Sequence, residues 1–281
     1  MATAASSRVR LAAIVAIVSA LGLVLIVSTS PSGASAGSAS LEPDLVTLPL
    51  GEQDLAMQLD GSSTLLRFSN EIGNLGAGPL EISPSAASND CDGDADPAND
   101  RDASQRVYED ADGSGGYEAG SDPVASEHRF GCMRYHLAHD HWHVLDIARY
   151  ALRHEPSGKL AARTRKVGFC LADFRRAFPG PSSPLEPVYP IEPADGTAQR
   201  GCQASDTQGL SSGWADIYLL DVPGQQLDVS GLERGRYCLI STTDPRDLIS
   251  ERDETNNSTR LRIALRPKQP AVRALARPCS A

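Results

Sequence analysis

Lysine is nearly missing from this chain: Lys159, Lys166 and Lys268 are the only three, against 23 arginines. Each is therefore conspicuous. Basic charge as a whole is in deficit, with 26 Lys and Arg against 36 Asp and Glu, and the net charge of −10 argues against a nucleic-acid partner, whose phosphates demand a basic surface. No CxxC pair occurs, which argues against a thiolate zinc site. Nor does any stretch hold a 3.6-residue apolar period for more than about two turns, so a helical bundle is not expected.

What is present begins with Arg8 and Arg10, an apolar run from Leu11 to Val27, and a small-residue stretch ending Ala34-Ser35-Ala36. Residues 1–36 read as a secretion signal, with an uncleaved membrane anchor as the alternative because the run approaches spanning length. Removal of the segment takes away two arginines and no acid, moving the charge from −10 to −12. Either reading puts the remainder outside the cytoplasm, secreted or at the cell surface. Six cysteines, Cys91, Cys132, Cys170, Cys202, Cys238 and Cys279, all lie beyond this segment. In an oxidising compartment an even set suggests three disulfides, and spacing alone does not choose the pairing.

The rest reads as short strands. Leu65–Asn70, Ile72, Asn74–Gly76 and Pro79–Ile82 are apolar alternations broken by Gly and Pro; Asn89–Asp122 turns acidic and glycine-rich. That acidic stretch reads as a polar hairpin or insertion, since an EF-hand would need a Glu at its twelfth position and helical flanks. Val144–Leu152, Lys166–Leu171, Ala215–Leu220, Gly235–Ser241 and Thr259–Leu265 continue the strand pattern, with long irregular loops at 179–201 and 207–214. Such a pattern predicts an all-β, β-sandwich-like single domain over residues 37–266, with little helix and a tail, 267–281, pinned by Cys279.

Four of the six histidines fall within Tyr135–His143. If that run is extended, His139, His141 and His143 share one face, and three neutral imidazoles there make a metal site suited to zinc, copper, iron or nickel. A zinc hydrolase would add a carboxylate base, for which Asp140 or Asp146 could serve.

Three blocks resemble the catalytic domain of the lysyl oxidase family. They are His136-x-x-His139-x-His141-x-His143, Lys166-x-x-Phe169-Cys170-Leu171-x-Asp173, and Thr207-Gln208-Gly209-Leu210-Ser211-x-Gly213 with Tyr218 five residues on. The resemblance covers roughly residues 41–266. It implies a copper-dependent protein-lysine 6-oxidase or primary amine oxidase, converting peptidyl lysine or small amines to aldehydes with release of ammonia and hydrogen peroxide from dioxygen. It also implies copper, as Cu(II), on His139, His141 and His143, and a lysine tyrosylquinone cofactor cross-linked from Lys166 and Tyr218. Asp216, two residues before Tyr218 on the same strand face, is the candidate base, and His136 a candidate orienter of the copper ligands.

The two ends carry a further resemblance. Pro43–Val46 and Glu251–Asn257 are similar to the segments that supply calcium in that family, which implies Asp44, Glu251, Asp253, Asn256 and Asn257 by side chain and Leu45 by its carbonyl. Cys170 with Cys202 matches a family disulfide, and Cys91 with Cys132 and Cys238 with Cys279 are the pairs expected beside it. Departures exist: Ala138 stands where animal members have a cysteine, and the 89–122 and 179–201 segments differ from theirs. The expected partners are a primary amine or lysine-bearing protein and dioxygen, with no nucleic acid and no membrane once the signal is cleaved. The competing reading is a secreted, calcium-stapled sandwich whose copper or zinc site does no chemistry.

Overall fold

Alternation sets the strands, and Ser258–Arg266 is the plainest case: Ile263 and Leu265 are fully buried while Arg260 and Arg266 are exposed. The computed structural model describes residues 39–86, 90–137, 141–164, 167–190 and 207–279. These belong to one compact unit over residues 38–281, and its named strands pair antiparallel throughout.

The largest sheet has eleven strands. Its path runs Gln208–Leu210, Leu80–Pro84, Asp100–Glu109, Val124–His136, His141–His154, Gly235–Thr243, Ser258–Arg266 and Ala271–Ala274; Ser40–Leu41, Leu160–Arg163 and Val167–Phe169 pair off this path. A four-stranded sheet, ordered Arg175–Arg176, Trp214–Tyr218, Asn70–Asn74 and Leu45–Thr47, packs against it. A three-stranded sheet of Gln226–Asp228, Ser63–Phe68 and Leu55–Asp60 completes the fold. Leu66, Phe68, Ile72, Leu80, Met133 and Tyr150 are among the buried residues of the shared core. The all-β architecture is thus as the sequence predicts.

Two stretches carry strands beyond the sequence expectation, the first as an arm of the hairpin expected there. Asp100–Glu109, inside the acidic stretch, is a ten-residue strand of the main sheet. Its inward positions include Gln105, fully buried because its amide donates to Ser250 O and accepts from Ser250 N, both at 2.8 Å. A buried amide that satisfies itself on a neighbouring backbone leaves no hydrophobic signature in the sequence. Ala271–Ala274, inside the expected tail, adds a further strand to the edge of the main sheet. Disulfides join Cys91 to Cys132 and Cys238 to Cys279. Cys202 lies outside the described residues, as does the expected signal, 1–36.

Candidate active site

The histidine segment folds as a hairpin. Val124–His136 pairs with His141–His154 so that His136 stands opposite His141 and Arg134 opposite His143. The His141 and His143 Nε2 atoms lie 3.0 Å apart, and the His136 ring stacks on His143 with centroids at 4.9 Å. His141 is buried. Two imidazole nitrogens held on one ion at about 2.0–2.1 Å sit about 3 Å apart at a right angle, so this pair has the spacing of two cis ligands. Beside them Trp142 packs edge-on to Tyr135 at 5.3 Å and beneath the Arg101 guanidinium at 5.4 Å. His139 and Asp140 lie outside the described residues. Asp146 is engaged elsewhere: it sits at φ 60° and pairs with Arg246 at 2.9 Å.

A bulge at Asp146 redirects the neighbouring strand. Val167 and Phe169 are two residues apart on that strand, yet they pair with Ala148 and Val144. The extra residues on the histidine strand reset its alternation and bring the Val167–Phe169 strand across its start. Phe169, opposite the residue after His143, lays its ring against Tyr218 with centroids at 4.2 Å. The Tyr218 hydroxyl donates to the Cys170 carbonyl at 2.6 Å. The strand that begins just after Lys166 therefore pairs with the strand that carries His141 and His143, and sets its Phe169 ring on Tyr218. Lys166 itself lies outside the described residues.

Asp216 is buried on the same strand as Tyr218. Burial pushes its carboxyl well above the ordinary carboxylate range; N–H groups of Ile217 and Ala172 oppose the shift, and Asp173 and Glu71 add to it. Among the described residues Asp216 Oδ2 has no hydrogen-bond partner. Burial likewise drives the Tyr218 phenol well up, helped by the charge of Asp216 and by Tyr150.

The motif residues between these groups hold the site together, a role the sequence spacing did not disclose. Gln208 donates to Trp142 O and accepts from Leu171 N at 3.2 Å, stitching the histidine strand to the Phe169 segment. Asp173, also buried, accepts from Ser211 N at 2.8 Å, Ser211 Oγ at 2.6 Å, Val188 N at 2.9 Å and Tyr189 N at 3.1 Å. Gly209 leaves room for the Leu80 carbonyl, which a Cβ would meet at 2.4 Å, and Gly213 takes φ +79°.

At the Leu45–Thr47 strand the two terminal segments meet. Leu45 N donates to Glu251 Oε2 at 2.6 Å, Asn257 Nδ2 to Glu251 Oε1 at 2.6 Å, and Asn256 Nδ2 to Asp44 Oδ1 at 2.7 Å. Arg252 also pairs with the buried Asp44. The structure thus gathers Asp44, Leu45, Glu251, Asn256 and Asn257, and sets Asp253 apart, where its carboxylate takes Thr255 N and Oγ1. Carboxylates the sequence did not single out stand with Glu251 instead: oxygens of Asp244 and Glu254 lie within 4.8 Å of its own. Burial, with the charge of Asp244 adding to it, raises Glu251 to about 7, and burial with the charge of Glu251 raises Glu254 to about 8.

A family model described as lysyl oxidase matches residues 192–274, the span that holds Asp216, Tyr218 and Glu251–Asn257. Over this span and the aligned half of its length, the chain is similar to the lysyl oxidase family. Lysyl oxidase homolog 1 of Homo sapiens is 32% identical over 130 residues, 46% of this chain and 20% of that protein. Protein-lysine 6-oxidase of Homo sapiens is 29% identical over 144 residues, 51% of this chain and 30% of the relative. The Sus scrofa protein-lysine 6-oxidase is 28% identical over 144 residues, 51% of each chain. The matches to these family members therefore span from a fifth to half of the relatives' lengths.

Proposed function

We propose that this protein is a copper- and quinone-dependent amine oxidase that acts on primary amines, peptidyl lysine included. The observation that carries the reading is the meeting of three elements: Tyr218 packs on Phe169, Phe169 pairs beside His143, and Asp216 is buried two residues from Tyr218. Relatives named protein-lysine 6-oxidase support a lysyl oxidase-type activity.

His141 and His143 fit copper by their 3.0 Å nitrogen spacing and by the affinity of neutral imidazole for such metals, and His139 would be the third ligand. Copper and the Lys166–Tyr218 quinone, when present, supply the redox chemistry by which an amine becomes aldehyde and ammonia while dioxygen becomes hydrogen peroxide. The chain's own side chains do the rest. Asp216 presents a carboxylate oxygen that no protein group among the described residues holds, and takes the proton from the substrate carbon next to nitrogen. Its raised affinity for protons suits a base that works near neutral pH. The Cys170 carbonyl and the Phe169 ring fix the Tyr218 ring in place. Gln208 and Asp173 keep the supporting segments in register.

Calcium would be held at Glu251 and Asn257, with Asp244 and Glu254 close enough to Glu251 to join and Asp44 with Asn256 on the adjoining segments; hard oxygens of this kind suit it. Its part is to tie the Leu45–Thr47 strand to the segment before Ser258–Arg266. We also place the protein outside the cytoplasm, a reading supported by its disulfides. Among the described residues no helix is long and apolar enough to cross a membrane.

Amine-dependent peroxide release by copper-loaded protein tests the function. Turnover that disappears in Lys166→Arg and in Tyr218→Phe is the expected result. Turnover that persists in both would show that the cofactor is wrongly assigned, and no turnover at all in wild type would favour the non-catalytic calcium-stapled module.

A further inference from the structure

The inner side of Tyr218 carries polar groups that neither core packing nor amine oxidation uses. Asn70 stands opposite Tyr218 in the strand pair and is 1% exposed. Its Oδ1 accepts from Ser241 Oγ at 2.6 Å, which links the four-stranded sheet to the main one, while its Nδ2 is buried with no partner among the described residues. Ser241 in turn stands opposite Tyr150. Tyr150 is fully buried, its ring edge-on to Phe68 at 4.7 Å. Gln225, 2% exposed, donates from Nε2 to the Tyr150 oxygen at 3.1 Å, so the hydroxyl hydrogen of Tyr150 must point elsewhere. Gln225 Oε1 and Asp216 Oδ2 are both buried without a partner among the described residues. The charge of Asp216 is felt at Tyr150 as well as at Tyr218.

Two acceptors, Asp216 Oδ2 and Gln225 Oε1, and two donors, Asn70 Nδ2 and the Tyr150 O–H, are thus buried in one neighbourhood, Asp216 and Asn70 from the four-stranded sheet, Tyr150 from the main sheet and Gln225 from the loop just before Gln226–Asp228. Buried polar groups in folded proteins are almost always satisfied, and a bound water offers two donors and two acceptors. The complement is complete.

We propose that Tyr150, oriented by Gln225, is a positioning residue for Asp216, and that its hydroxyl reaches the Asp216 carboxylate through one buried water also held by Asn70. The water accepts from Tyr150 and Asn70 and donates to Asp216 and Gln225. This arrangement favours the charged carboxylate, against the burial that disfavours it, and so sets the pH at which Asp216 can act as a base. The other ionisable groups facing Asp216 are Asp173, Glu71 and Tyr218. The catalytic consequence rests on the assignment of Asp216 as base; the hydrogen-bonded set does not.

The test is an infrared pH titration of the metal-free protein, in which the band of protonated Asp216 is identified by its loss in Asp216→Asn. Tyr150→Phe keeps the ring and removes the hydroxyl. The expected result is a midpoint raised by about one pH unit or more, because a hydrogen bond to the charged form is lost. Gln225→Leu should move it the same way by less. Mere loosening of the core would hydrate Asp216 and move the midpoint down, so the sign separates positioning from structure. An unmoved or lowered midpoint overturns the proposal, and if Tyr150→Phe does not fold, Gln225→Leu decides by the same sign. In copper-loaded protein the acid limb of kcat/KM should shift upward in step. If the midpoint rises while Asp216→Asn still turns over amine, the base assignment fails and the positioning set stands; if Asp216→Asn is dead and the midpoint does not rise, the reverse holds.

Discussion

A carboxyl buried as Asp216 is buried weighs against the folded state whenever it is charged. Because its folded proton affinity is raised above the unfolded one, its contribution to stability is fully present below the unfolded pKa, near 3.8, and is lost as pH rises through the folded value. Asp216→Asn should therefore make the protein more stable to heat at neutral pH and above, and flatten the dependence of Tm on pH in that range. The same change should abolish amine-dependent peroxide release while leaving copper binding, followed by metal analysis, intact. A variant that gains stability as it loses turnover is what a residue retained for chemistry predicts. Asp173 is the contrasting case, since its raised affinity comes with four donors aimed at it. Asp173→Ala leaves several buried donors unpaired at about 1–3 kcal/mol each, and a loss of about 3 kcal/mol or more in urea unfolding is expected.

At the scale of elements, strands were legible wherever one face was apolar and the other polar, as in Ser258–Arg266. Asp100–Glu109 was not, because it buries Gln105 on one face and Ser104 on the other, both of which hydrophobic patterning counts as surface. Gln105→Leu should accordingly destabilise the fold by about 1–3 kcal/mol despite the added apolar surface, since Ser250 loses both partners; equilibrium unfolding measures it. The site was legible as a set of motifs without its wiring. His139, His141 and His143 were read as sharing a face; His141 and His143 lie two apart on one paired strand, and His139 lies outside the described residues. That His136 would sit opposite His141, that a bulge at Asp146 would swing Phe169 onto Tyr218, and that Gln208 would fasten the two depend on pairing register, which no local spacing contains. Asp253, grouped with Glu251 by the family resemblance, takes Thr255 in a local turn of the kind Asp commonly makes.

The whole molecule is closed by contacts of long sequence separation. Cys238–Cys279 and Cys91–Cys132 each bridge 41 residues, and a loop of that length corresponds to about 4 kcal/mol by chain entropy. Replacing Cys238 and Cys279 by serine should lower stability by about 2–4 kcal/mol and release the Ala271–Ala274 strand, seen as faster amide exchange there. Calcium, bound to the native state alone, should raise Tm in proportion to the logarithm of its concentration over its dissociation constant, and Glu251→Gln should remove that rise. All of these features are compatible with a binding module as much as with an enzyme. One measurement separates the two: mass spectrometry of tryptic peptides from protein loaded with copper in air. The account predicts the peptides bearing Lys166 and Tyr218 joined in a single species; recovery of both peptides separate and unmodified would contradict it.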